Sequence, residues 1–137
     1  LALILKKYPN VLIMCDDIYE KIIYDELEFH TLASIEPSLK ERCLTLNGVS
    51  KSYCMTGWRL GYCGAPKEII AAMNKIQSQS TTSTSSITMA AAVEAISGPQ
   101  DFIKEHNEKF LKRRDLVLNK LNNIDGITCQ KPEGGNG

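Results

Sequence analysis

The sequence is short of most features that would place it in a specialised class. It has no surplus of charge: sixteen Lys and Arg offset sixteen Asp and Glu, and its basic residues gather only in short clusters such as Lys6-Lys7 and Arg113-Arg114. That excludes the one-sided electrostatic footprint of a nucleic-acid or anionic-membrane partner. Long hydrophobic runs are missing too, since the stretches at 1–5 and 11–15 are far too short to span a bilayer. The N-terminus shows no charged leader with a small-residue cleavage site. Cysteine is odd in number, with Cys15, Cys43, Cys54, Cys63 and Cys129 widely spaced and mostly in apolar segments. This argues against a disulfide frame or a zinc site and for reduced core thiols in a cytoplasmic protein. The two histidines, His30 and His106, have no partner at ligand spacing, so no metal site is expected. No internal repeat is evident.

What remains is an ordinary globular composition: 137 residues, 43% apolar and 23% charged, enough for one domain with a real core. Residues 2–7 read as the last turns of an amphipathic helix, stopped by Tyr8-Pro9-Asn10. Residues 11–16 form an apolar run ending in acid, the mark of a parallel strand buried on both faces. Residues 17–23 read as a short turn or helix, 34–41 as a loop containing Pro37, and 42–46 as a second strand. A third strand is expected over 59–63, closed by Gly64-Ala65-Pro66.

Residues 67–77 carry Ile69, Ile70, Met73 and Ile76 at helical spacing. The Ser/Thr run 77–86 reads as a flexible linker by composition. A helix follows over 87–96, and Pro99 suits the first turn of the next one. That long helix runs to about Leu121 on the spacing of Phe102, Ile103, His106, Phe110, Val117 and Leu121. Asp125-Gly126 then turns the chain into an expected strand at 127–130. Strand–helix alternation points to an α/β sheet, whose ligands gather at the carboxyl ends of its strands. Asp16 and Lys51 both fall there.

The segment from Asn47 to Tyr62 is the most informative: Asn-Gly-Val-Ser-Lys-Ser-Tyr-Cys-Met-Thr-Gly-Trp-Arg-Leu-Gly-Tyr. It sets Lys51 among small residues just past an apolar run, with Arg59 eight positions on. A lysine held in that way is suited to a Schiff base with an aldehyde, and an arginine to clamping a phosphate or carboxylate. Taken alone, each has a plainer reading: Lys51 as a solvated loop residue, Arg59 as the partner of a local carboxylate. Cys15-Asp16-Asp17-Ile18-Tyr19 places two acids at a strand end. Without the lysine segment these would be a turn or helix cap, and Asp17 is expected to be that cap.

The 47–62 segment resembles the lysine signature of class I/II aminotransferases, the pyridoxal-phosphate enzymes of fold type I. Gly48, Ser50, Lys51, Met55, Gly57, Arg59 and Gly61 all stand where that family has them. The likeness is closest to the bacterial aspartate/prephenate branch, and Cys54 departs from it where alanine is usual. The resemblance implies that Lys51 carries pyridoxal 5'-phosphate as a Schiff base and then moves the substrate proton. It implies that Asp16 keeps the cofactor's ring nitrogen protonated, through the family's Asp-x-x-Tyr pattern, and that Tyr19 donates to its phenolic oxygen. Arg59 would bind the phosphate with Ser50 beside it. A phosphate-binding serine of some branches is Gly48 here, leaving only its backbone N–H. Trp58 is expected in the core rather than stacked on the cofactor.

The resemblance further implies an α/β architecture: residues 1–98 as the C-terminal part of a large cofactor-binding domain with a mostly parallel sheet, and 99–137 as the long helix and first strand of a small domain. It implies amino-acid and 2-oxo-acid substrates, with aspartate the leading donor, and a homodimer. The start at Leu1 and the stop after Lys131-Pro132-Glu133-Gly134 suggest a piece of a longer chain, with no structural role evident for Gly135-Asn136-Gly137. Such a piece would lack the upstream cofactor loop and the arginine for the substrate α-carboxylate, and would be inactive alone. A lyase or synthase of the same fold, or an inert folded piece, are the other readings.

Overall fold

The computed structural model describes residues 1–135; Asn136 and Gly137, the last of the expected small-domain segment, lie outside the described residues. Three strands form one sheet in the order β1 (Ile13–Asp16), β2 (Cys43–Gly48), β3 (Gly61–Gly64). β1 and β2 run parallel, from Ile13 opposite Cys43 to Asp16 opposite Leu46. β3 is antiparallel to β2, with Thr45 opposite Gly64 and Gly48 opposite Gly61. Among the described residues the sheet is therefore mixed, with one parallel and one antiparallel pair. The reason lies in the connections. A parallel return needs a crossover of a dozen or more residues, and residues 17–42 provide it through helix α2 (Leu32–Ile35) and a 3-10 helix (Pro37–Arg42). Residues 49–60 hold only a 3-10 turn (Thr56–Trp58), so the chain re-enters at the edge it left.

The loop expected at 34–41 is thus largely helical, and Arg42, expected in a strand, closes the 3-10 helix instead. Its guanidinium donates to Leu5 O (2.7 Å), Tyr8 O (3.0 Å) and Val11 O. These carbonyls end helix α1 (Ala2–Leu5) and its exit, and a cation there satisfies groups the helix leaves open. One face of the sheet buries Ile13, Cys43 and Leu39 against Ala2, Leu5 and Leu32. The other is bare at β1, where Met14 is 71% exposed, so the expectation of a strand covered on both faces is not met within the described residues.

Helix α3 (Lys67–Ser80) runs three residues past its expected end, and α4 begins at Ser86 (Ser86–Ser97), so the supposed linker shrinks to 81–85. Side-chain bonds hold the junction: Gln77 Nε2 donates to Thr81 Oγ1 (2.6 Å), and Thr82, at φ 67°, donates its N–H to Gln77 O (2.9 Å). Helix α5 (Asp101–Asn122) matches the expected length, but Pro99 precedes its N-cap Gln100 rather than entering the first turn. Gly98 closes α4 where a Cβ would meet Glu94 O at 2.6 Å. A second core joins Val49 and Tyr53 to Ala92 of α4 and Ile103 of α5.

Residues 127–130 form no strand. Asn122 occupies their backbone instead: its Oδ1 accepts from Cys129 N–H (2.7 Å) and its Nδ2 donates to Cys129 O (3.2 Å). The nearest sheet-like pairing is one antiparallel bridge between Ile23 and Gly134. All five thiols are free, but only Cys43 is buried and Cys54 is exposed, which corrects the picture of uniformly core cysteines. Trp58 is likewise 45% exposed rather than core. No helix among the described residues is long and apolar enough to cross a membrane.

Candidate active-site edge

Parallel pairing brings the carboxyl ends of β1 and β2 to one edge of the sheet, and antiparallel β3 starts there. Asp16 is the last residue of β1. Lys51 comes three residues after Gly48, the end of β2. Arg59 comes two residues before Gly61, which pairs with Gly48. The ladder is prolonged by Asp17 N–H donating to Leu46 O (2.9 Å), after which tight turns place Tyr19. The Lys51 amine stands 5.5 Å from the centre of the Tyr19 ring. Asp16, Tyr19, Ser50, Lys51 and Arg59 thus fall at one edge, where the Lys51 amine faces the Tyr19 ring.

Local chemistry explains the placement. Gly48 is tightly enclosed: a Cβ would lie 3.0 Å from Leu60 O and 3.2 Å from Gly61 Cα, so only glycine lets β3 start so close to the lysine turn. Its N–H already donates to Asn47 Oδ1 (2.7 Å). The backbone donor left at this position is therefore already engaged. Between Lys51 and Gly61 the chain twice adopts left-handed backbone without glycine, at Cys54 (φ 55°) and Arg59 (φ 54°). Each such residue costs about 1–3 kcal/mol and persists where surrounding structure enforces it, a pattern concentrated at functional sites. The Arg59 guanidinium donates to Thr56 O (3.0 Å) and is otherwise turned to solvent. Among the described residues neither Lys51 nor Arg59 forms an ion pair.

Asp17 does not act as the cap expected of it. Asp16 makes the turn-type bond, its Oδ1 accepting from Ile18 N–H (3.3 Å). Asp17, expected to be the cap, has a buried Oδ2 with no hydrogen-bond partner, and Ser52 Oγ beside Lys51 is in the same state. The sequence pattern pointed to Asp17 only as a cap and did not point to Ser52. Unpaired buried polar atoms cost about 1–3 kcal/mol each, so the residues next to Asp16 and Lys51 in sequence both carry unmet hydrogen-bonding capacity. Asp16 also lines two concavities. One, of about 550 Å³, includes Asp17, Tyr19, Glu20 and Phe29. The other, of about 640 Å³, includes Ile18, Asn47, Tyr62 and Met73. Burial, with Glu20 nearby, raises the Tyr62 hydroxyl above its ordinary range.

An α/β sheet that presents a lysine, a carboxylate, a phenol and an arginine at one strand edge defines a ligand-binding edge of the kind seen where parallel strands end. The chain belongs to the class I and II aminotransferases, whose family model matches residues 1–136. An aspartate aminotransferase of Rhizobium meliloti (strain 1021) is 56% identical over 131 residues, which are 96% of this chain and 32% of the relative. An aspartate/prephenate aminotransferase of Cereibacter sphaeroides is 54% identical over 131 residues, 96% of this chain and 33% of the relative. The crystal structure of the Rhizobium meliloti aspartate aminotransferase superposes with a TM-score of 0.95, covering 97% of this chain and 33% of that one. An aromatic aminotransferase of Pyrococcus horikoshii, 33% identical, does so at 0.91, covering 98% and 36%. The chain therefore spans about a third of the length of the curated relatives it matches, and its fold is that of fold type I aminotransferases.

Proposed function

We propose that this chain forms the lysine-bearing part of a pyridoxal-phosphate-dependent aminotransferase that moves an amino group from an amino acid, with aspartate the leading donor, to a 2-oxo acid. The observation that carries this reading is the Lys51 amine 5.5 Å from the Tyr19 ring, at the edge that Asp16 and Arg59 share. The names of the relatives support aspartate as donor.

The residues present suit that cofactor. An amine for an aldehyde, a carboxylate for a ring nitrogen, a phenol and a guanidinium form the complementary donor set, and the unpaired Ser52 and Asp17 oxygens mark an edge built to take more partners. Pyridoxal phosphate, when bound, supplies an electron sink for the pair left at the substrate α-carbon. Lys51 would hold the cofactor through its aldehyde carbon, and its amine is the group that would take and return the proton at the substrate α-carbon. Asp16 would keep a proton on the ring nitrogen, and Tyr19 would donate its hydroxyl to the phenolic oxygen. Arg59 would hold the phosphate as a fixed fork of donors, and the half-buried Ser50 would add a hydroxyl at the same edge. Residues 1–98 belong on this reading to the cofactor-binding domain and 99–137 to the small domain, in a cytoplasmic homodimer.

The test is mass spectrometry after incubation with pyridoxal phosphate and borohydride. A single stoichiometric adduct on Lys51, absent in Lys51→Ala, is the expected result. Labelling spread over many surface lysines would sink the assignment of Lys51.

A further inference from the structure

The N-cap and body of α5 carry polar side chains at Gln100, Asn107 and Arg114, each seven residues from the next. Seven residues is just under two helical turns, so the three form one stripe that drifts by about 20° per step. Each grips a segment bearing a candidate site residue. Gln100 Oε1 accepts from the Tyr53 hydroxyl (3.1 Å), two residues past Lys51. Its amide donates to Ala95 O (2.9 Å) and Gly98 O (2.7 Å), so this side chain is fixed at both ends. Asn107 Nδ2 donates to Lys21 O (2.6 Å), two residues past Tyr19. Arg114, nearly buried, forks onto Asp25 (2.7 and 3.1 Å) and lies over the Tyr24 ring (5.0 Å).

We propose that Gln100, Asn107 and Arg114 are positioning residues which, through α5, hold the Lys51 turn and the Tyr19 turn in one fixed relation. They touch no cofactor atom; they act through Tyr53, Lys21 and Asp25. Among the described residues, no backbone hydrogen bond joins the 49–55 turn to the 18–24 turn; beyond the β1–β2 ladder and the Lys51–Tyr19 contact itself, this stripe bonds to both. A rigid helix that grips both turns converts two loops into a single body, and the spacing of the lysine amine and the tyrosine ring follows from it. The proposal rests on the roles given above to Lys51 and Tyr19.

Two mild variants of the full-length protein test it. Tyr53→Phe removes one hydroxyl and leaves the ring packed on Phe102 (6.1 Å). Asn107→Ala removes the grip on Lys21. Lys109→Ala, on the far side of α5, is the control. With cofactor bound and Lys51 still labelled by borohydride, both variants should shift the pH midpoint of cofactor absorbance by at least about half a unit. The control should leave it unmoved, and Tm should change little in all three. An unmoved midpoint in both variants, with labelling intact, overturns the proposal and leaves the functional reading standing. If the unaltered protein takes no label at Lys51, the functional reading fails instead. Amide exchange of the cofactor-free protein then decides the mechanical tie. Exchange at Ile22 and Tyr24 about fivefold faster in Asn107→Ala supports it, and unchanged exchange overturns it.

Discussion

Asp25 shows how a single residue ties a loop to the helix behind it. Its backbone is left-handed (φ 59°), as is that of Glu26 (φ 58°). Its carboxylate takes hydrogen bonds first from Arg114 and then from Lys131, which hold its carboxyl well below the usual carboxylate range. The folded chain therefore gives up this proton more readily than the unfolded chain does. The stabilisation is complete above about pH 4, the ordinary aspartate value, and drains away as the pH falls further toward the folded value. Asp25→Asn should lower Tm at neutral pH and flatten the fall of Tm below pH 4; a steep acid slope that survives the substitution would assign it to other carboxylates. The thiols divide in the same residue-by-residue way. Burial first, and Cys43 second, push Cys15 up to about 11, while Cys54 lies exposed with its Sγ 3.7 Å from His106 Nδ1. Since the thiolate is the nucleophile, iodoacetamide at neutral pH should label Cys54 well before Cys15 or Cys43, as peptide mapping over time would reveal.

Among the elements, the junction of β2 with β3 has the least slack. Gly48 and Gly61 are paired, and the space a Gly48 side chain would need is filled by the Leu60 carbonyl and the Gly61 backbone. Because backbone must shift rather than a flexible side-chain tip, Gly48→Ala should cost about 1–3 kcal/mol. It should also loosen the lysine turn that follows, read as a lower denaturation midpoint together with faster amide exchange at Cys54 and Met55. A variant as stable as the original would mean that β3 yields easily. The same junction shows what an apolar pattern leaves open: apolar runs announce strands, but whether neighbours run parallel or antiparallel depends on where the connection returns. The Ser/Thr run illustrates the converse. Composition suggested a linker, whereas Gln77 and Thr81 use their own side chains to extend and close α3.

At the scale of the whole molecule, the described residues bury two modest clusters and leave many large apolar side chains bare. Leu3, Leu12, Met14, Ile76, Ile87 and Val93 are each exposed by more than half. Apolar surface on this scale drives association. The 137-residue chain prepared alone should self-associate in light scattering at micromolar concentration, and a sharp monomer there would show that these faces tolerate water.

The three strands, the long helices and the α/β class were legible in the chain, and five candidate residues could be proposed from it, because apolar periodicity and a dense local signature are properties of neighbours in sequence. Lys51, Asp16 and Tyr19 could be named before any contact was visible. What could not be read were relations between segments distant in the chain. The antiparallel return of β3 and the bonds from α5 to the Tyr53 hydroxyl and the Lys21 carbonyl both depend on which surfaces meet. Covalent order determines local propensity and the chemistry on offer. Only tertiary packing decides which donors find acceptors, because each such bond joins groups whose separation along the chain carries no information about their separation in space.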